Sequence, residues 1–144
     1  MAALLFLPWT LCAAAIQITN NVRLTFGNLI SGASAGTVKV SSSGATATTG
    51  GVIAFGGGSA PASFTISIPQ GNPNYTVLLA ISANLTGPGS SMVVDSFEST
   101  PAGGGHIRPP TGFQDMTVGA TLHVAANQAS GIYSGTFDVT VSSP

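Results

Sequence analysis

The chain reads as an all-β protein, a single antiparallel two-sheet sandwich with Greek-key connections. Three observations predict it. Short runs of alternating apolar and polar residues recur along the sequence, separated by clusters of Gly, Pro, Asn and Ser. No helical pattern of useful length follows residue 15. Hydrophobic residues make up 44% of the chain and charged ones 5%, against roughly a quarter charged in an ordinary soluble domain. Disordered chains combine low hydrophobicity with high net charge, and both are reversed here. A length of 144 residues suits one domain.

Residues Ala2 to Ala15, AALLFLPWTLCAAA, form an apolar run ending in three alanines. This N-terminal segment, residues 1–15, has two readings. As a secretory signal it shows the apolar stretch and small-residue cleavage site, although no Lys or Arg follows Met1. As a retained segment it would insert as a strand into a neighbouring subunit. Both imply export to the cell surface or medium. The run is too short for a membrane span of about 20 apolar residues and contains Pro8. Cys12 has no cysteine to pair with.

Residues 16–144 are expected to form the sandwich. Val22 to Phe26 is the first expected strand, with Phe26 in the core. Thr37 to Val40 places Val38 and Val40 on one face and Lys39 on the other. Ser41 to Gly51 reads as a loop or weak edge, and Val52 to Phe55 as a short strand. Ala62 to Ile68 is the clearest amphipathic strand: Phe64, Ile66 and Ile68 point inward, while Ser63, Thr65 and Ser67 face solvent. Pro69 to Asn74 is a turn by composition. Tyr75 to Ser82 follows with Tyr75, Val77, Leu79 and Ile81 inward. Met92 to Phe97 comes next, and Pro101 to Gly112 is too rich in Gly and Pro for sheet. Thr121 to Ala125 contributes Leu122 and Val124, and Tyr133 to Val141 closes the domain with Tyr133, Phe137, Val139 and Val141 on one face. About eight short strands without parallel crossovers give an immunoglobulin-like arrangement.

Little chemistry is available to such a chain. A net charge of -1 offers no basic face for nucleic acid. Gly32-Ala33-Ser34-Ala35-Gly36 matches a nucleophile elbow by letter, but a β-type run follows where a helix is required. His106 and His123 are isolated from Cys, Asp or Glu in the sequence and do not make zinc spacing. Asp95 and Glu98 could approach as paired carboxylates, but read more simply as solvated residues at a strand end. Gly56 to Gly58 and Gly103 to Gly105 precede no helix, so neither is a phosphate loop. Asn74-Tyr75-Thr76 and Asn84-Leu85-Thr86 are glycosylation sequons of the kind Ser/Thr-rich chains produce by accident. The expectation is no enzyme, no cofactor and no metal.

The stretch from Val118 to Val141, with Phe26-Gly27, Ala35-Gly36-Thr37-Val38 and Ala62-x-Phe64 in the same order, resembles a bacterial family of secreted β-sandwich domains whose function is unknown. The closing Gly-x-Tyr-x-Gly-Thr motif (Gly131 to Thr136) is also similar to spore-coat-U-like pilins, subunits of archaic chaperone–usher fibres. That resemblance implies a pilin-like sandwich completed by a strand from the next subunit, assembled with a chaperone and an outer-membrane usher. Two departures stand against the carry-over: the chain shown ends Ser142-Ser143-Pro144 and not near an aromatic, and the disulfide common among such pilins is absent. The expected function is a structural subunit of an extracellular filament, with itself as partner. Leu5, Leu7, Trp9, Leu11, Ile16 and Ile18 form the candidate donor strand, and Pro8 is tolerable where its missing donor faces away from the ladder. The alternative is a self-contained surface or matrix domain that binds polysaccharide or a host surface.

Overall fold

The computed structural model describes residues 15–143. Its strands in chain order are β1 (Gln17–Val22), β2 (Leu29–Ile30), β3 (Gly36–Val40), β4 (Thr46–Gly50), β5 (Ile53–Ala54), β6 (Ala62–Ser67), β7 (Asn74–Leu79), β8 (Ser82–Leu85), β9 (Met92–Thr100), β10 (Gly104–Ile107), β11 (Phe113–Val124) and β12 (Val139–Ser142). All pairings between them are antiparallel, and the described residues contain no helix. The all-β expectation holds.

The spine is β11, whose alternation places Met116, Val118, Ala120, Leu122 and Val124 inward, all buried. Its register fixes the layout of the larger, seven-stranded sheet. Thr117 and Val118 pair with β6 and also with β9, while Thr121 and Leu122 pair with β3 and also with β9. A strand has two edges, so β6 and β3 lie end to end along one edge of β11 and β9 runs along the other. Where β6 gives way to β3, the backbone comes so close that a Cβ on Gly119 would lie 2.1 Å from the Val40 carbonyl oxygen. Opposite, Gly119 to Thr121 faces Glu98 to Asp95, a bulge that carries Ser96 at φ 53°. Beyond these strands, β1 flanks β6, β4 flanks β3 and β8 flanks β9.

The smaller sheet, ordered β10-β7-β12, covers the half of the larger one built from β1, β6 and the start of β11. Two side-by-side arches link the layers. One joins β6 to β7 and the other β10 to β11. They are bonded to each other through the Ile68 amide to the Gly112 carbonyl (2.7 Å) and the Arg108 amide to the Pro73 carbonyl (2.8 Å). Because the arches run uncrossed, β7 lies over β6 and β10 over β11. It follows that β12, on the far side of β7, lies over β1. Ile66, Ile68, Tyr75, Val77, Met116 and Val118 form the core between these layers. A second core around Val38, Val52, Met92, Val94, Leu122 and Val124 is roofed by Leu24, Phe26, Leu29 and Tyr133 instead of by a regular sheet.

Several expectations are corrected. The first strand is Gln17–Val22, and Arg23 to Phe26 contributes only the isolated bridge Thr25↔Ala60. Ser41 to Gly51, read as a loop or weak edge, does hold an edge strand: β4 is exposed at every position, and here the expectation stands. The Gly-rich stretch after Pro101 still forms β10, since Gly104 and Gly105 keep their ladder groups whatever their side chains lack. Ile81 is 90% exposed. The chain turns a corner at Ala80-Ile81, leaving the smaller sheet as β7 and entering the larger one as β8. The closing segment follows the same corner: Ser134 bridges Thr86, the Ala80 amide donates to the Asp138 carbonyl, and β12 then pairs with β7. Tyr133 therefore serves the second core, while Phe137, Val139 and Val141 serve the first.

Candidate functional site: an open seam between two sheet edges

The two layers leave one side of the sandwich-like body unclosed. Among the described residues nothing pairs with the outer edge of β1 or of β12, and these two edges lie one above the other. Ile16 and Ile18 on one lip, and Val139 and Val141 on the other, are half-buried against the core between the layers. Behind them Phe137 closes the floor, 6.4 Å from Phe64 in an edge-to-face arrangement and 5.0 Å from Phe97. Exposed main-chain donors and acceptors beside half-covered apolar side chains make a site for an added strand. Fully burying a Val or Ile side chain is worth about 1.5–3 kcal/mol, so covering the open half of each adds roughly 1 kcal/mol.

Of the candidate donor residues, Leu5, Leu7, Trp9 and Leu11 lie outside the described residues. Ile16 lies just before the chain's own β1 and Ile18 within it, opposite Ile66. Residue 17 pairs with Ser67, so the head of β1 lies at the end that carries the two arches. The β12 lip, Val139 and Val141, is legible in the sequence as an inward-facing pair, but its lack of an outer neighbour among the described residues is not.

The outward face of the larger sheet gathers most of the remaining polar chemistry. His123 Nε2 and Asp95 Oδ1 are 2.8 Å apart, both partly exposed, so His123 is not isolated as its sequence neighbours suggest. The signal is sheet register: Asp95 pairs with Thr121, which puts it diagonally beside His123. Glu98 turns instead to Lys39 at 3.7 Å, so the two carboxylates do not form a pair. Thr37 and Thr49 share a hydrogen bond of 2.6 Å between their hydroxyls beside a shallow concavity of about 510 Å³ that also involves His123 and Ser91. Ser34 is exposed in the loop before β3, with no helix following it, so the elbow geometry is not formed. His106 stacks on Tyr75 with ring centroids 5.2 Å apart and bonds to the Ala102 carbonyl through Nε2 at 2.5 Å. Burial raises the Tyr75 hydroxyl above its ordinary 10.0. Among the described residues no three His, Cys, Asp or Glu side chains gather to hold a metal ion, and no helix is long and apolar enough to cross a membrane.

A family model described as a domain of unknown function, DUF4402, matches residues 16–142. No curated protein and no solved structure matches the chain.

Proposed function

The chain belongs to the DUF4402 family, and for it we propose the role of an extracellular structural subunit, polymerised by strand donation from the N-terminal segment into the seam between β1 and β12. The fold in this reading is an incomplete immunoglobulin-like, Greek-key, pilin-like sandwich. The observation that carries it is the open β12 edge with Val139 and Val141 half-covered beside it. Residues 1–14 follow directly from the arch end of the opposite lip and, fully extended, reach at most about 50 Å. Folding back onto the same chain's seam would need a tight turn near Ala13-Ala14-Ala15, which holds no Gly, Pro, Asn or Asp. Insertion into a neighbour needs none. Since β1 runs away from the arch end and β12 runs toward it, a copy translated along β1 presents its arm antiparallel to the neighbour's β12. Such head-to-tail contacts do not close on themselves and build a filament. Export to the cell surface, and assembly with a chaperone and usher, belong to the same proposal.

Cys12 supplies the test. In the donor its side chain opposes the Leu5, Leu7, Trp9, Leu11 face, and on β12 the outward positions are Thr140 and Ser142. Oxidation of Thr140→Cys and Ser142→Cys variants should give a ladder of disulfide-linked multimers in one of the two registers. Monomers alone in both variants would refute donation.

One observation favours the second reading, a self-contained surface domain. Ile18 already pairs with Ile66, and Ile16 and Ile18 pack on the core of their own chain, so residues 16–143 carry both cores without a partner.

A further inference from the structure

We propose that the concavity at the arch end, around Arg108, binds the carboxylate of an acidic sugar residue. The inference goes beyond strand donation and deepens the self-contained reading, since it stands or falls without polymerisation.

Arg108 is half-buried and has no carboxylate within 4.0 Å among the described residues, whereas Lys39 is paired with Glu98. Its guanidinium is held in place by main chain. Nε donates to the Ile68 carbonyl at 2.7 Å and Nη1 to the Pro109 carbonyl at 3.4 Å. Gly112, at φ +79°, lies close under the guanidinium: a Cβ there would come 2.6 Å from Nη2 and 3.2 Å from the Ile68 carbonyl oxygen. A fork pre-positioned by neutral carbonyls loses little freedom on meeting a carboxylate.

The space it faces is about 350 Å³, at the small end of small-molecule sites, and its other wall is Gln70, Gly71, Asn72 and Pro73. One cation matches one negative charge, which suits a carboxylate better than a phosphate dianion. The amide of Gln70 on that wall suits a ligand whose remaining groups are hydroxyls, and the Pro73 ring offers a small apolar surface to a sugar's C–H face. A uronic acid residue of a polysaccharide has that chemistry.

The test is calorimetric titration of the full chain with a galacturonic acid trimer, with its methyl ester as the neutral control. The acid should bind and the ester should not. Arg108→Gln should weaken binding at least tenfold, with Arg108→Lys between the two because it keeps charge and loses the fork. If Arg108→Gln fails to fold by far-ultraviolet circular dichroism, Gln70→Ala should weaken binding several-fold. No binding of the acid, equal binding of the ester, or unchanged binding in the foldable variant would overturn the proposal. Competition by N-acetylaspartate as strong as by the trimer would overturn the sugar assignment in favour of an acidic protein segment. None of these outcomes bears on the disulfide ladder, so failure here and failure of strand donation are separate results.

Discussion

Ile66→Ala and Ile81→Ala make the same chemical change at two positions that the alternation of the sequence places in one core. In the structure Ile66 is 0% exposed and Ile81 is 90% exposed. Ile66 lies on β6 between Ile18 and Gln114 and belongs to the core that includes Tyr75 and Val77. Removing three carbons there costs the transfer term plus a cavity that the flanking ladders hold open, about 3–4 kcal/mol. At about 4 °C per kcal/mol for a domain of this size, Tm falls by roughly 12–16 °C. Ile81 gives up almost no buried surface, so its truncation stays within about 0.5 kcal/mol of the parent. Urea unfolding followed by circular dichroism measures both, and an unchanged slope shows that native compactness is retained. The corner at Ala80-Ile81 is wrong if Ile81→Ala costs as much as Ile66→Ala. A half-buried control, Ile18→Ala, should fall between them at about 1–2 kcal/mol.

Gly119→Ala should fail to give folded protein or lose more than about 2 kcal/mol, since its Cβ would lie 2.1 Å from the Val40 oxygen; soluble yield and Tm report it. Tyr133→Phe removes a hydroxyl that donates to the Ala129 carbonyl at 2.8 Å and accepts from the Gly89 amide at 2.9 Å and Gln128 Nε2 at 3.0 Å. That should cost about 1–3 kcal/mol in denaturant unfolding by leaving partners unmatched. Tyr75 ionises later in the folded chain than in the unfolded one, so its share of stability is complete below the unfolded value of 10.0 and lost as pH rises through the raised folded value. The alkaline decline measured by unfolding at successive pH values should be shallower in Tyr75→Phe, and an identical decline would contradict it. Lys39→Ala should change stability by less than about 1 kcal/mol, because its bridge to Glu98 is exposed and screened.

Period-2 alternation was enough to find the strands that face a core on one side. Val38, Val40, Ile66, Ile68, Val77, Leu122 and Val124 are all buried. It was not enough where long-range geometry decides. The start of β11 reads as ordinary sequence, yet its twelve residues serve three other strands, and nothing local announces a spine. Ile81 keeps the beat of β7 but falls on a corner, which alternation has no term for. The polar run Thr46–Gly50 reads only as a loop or weak edge, and the structure decides for the edge, because an edge strand exposed on both faces has no apolar face to show. Of the seam, the sequence offered the inward pair Val139 and Val141 and the apolar arm. That one lip stands above the other follows from two uncrossed arches, a property of connection order and hydrogen bonding between segments far apart in the chain. Asp95 and His123 met for the same reason, through register and not through spacing.

Strand donation is tested most directly by comparing the full chain with one that begins at Ala15, which keeps β1 and every described core residue. Electron microscopy and sedimentation of both read the same quantity, the length of the polymer. Donation predicts linear filaments from the full chain and monomers of unchanged fold from the shortened one, with the monomers capping filament growth when mixed in. If both chains remain monomeric, or if both polymerise alike, the N-terminal segment is not the donor and the seam between β1 and β12 is not its acceptor.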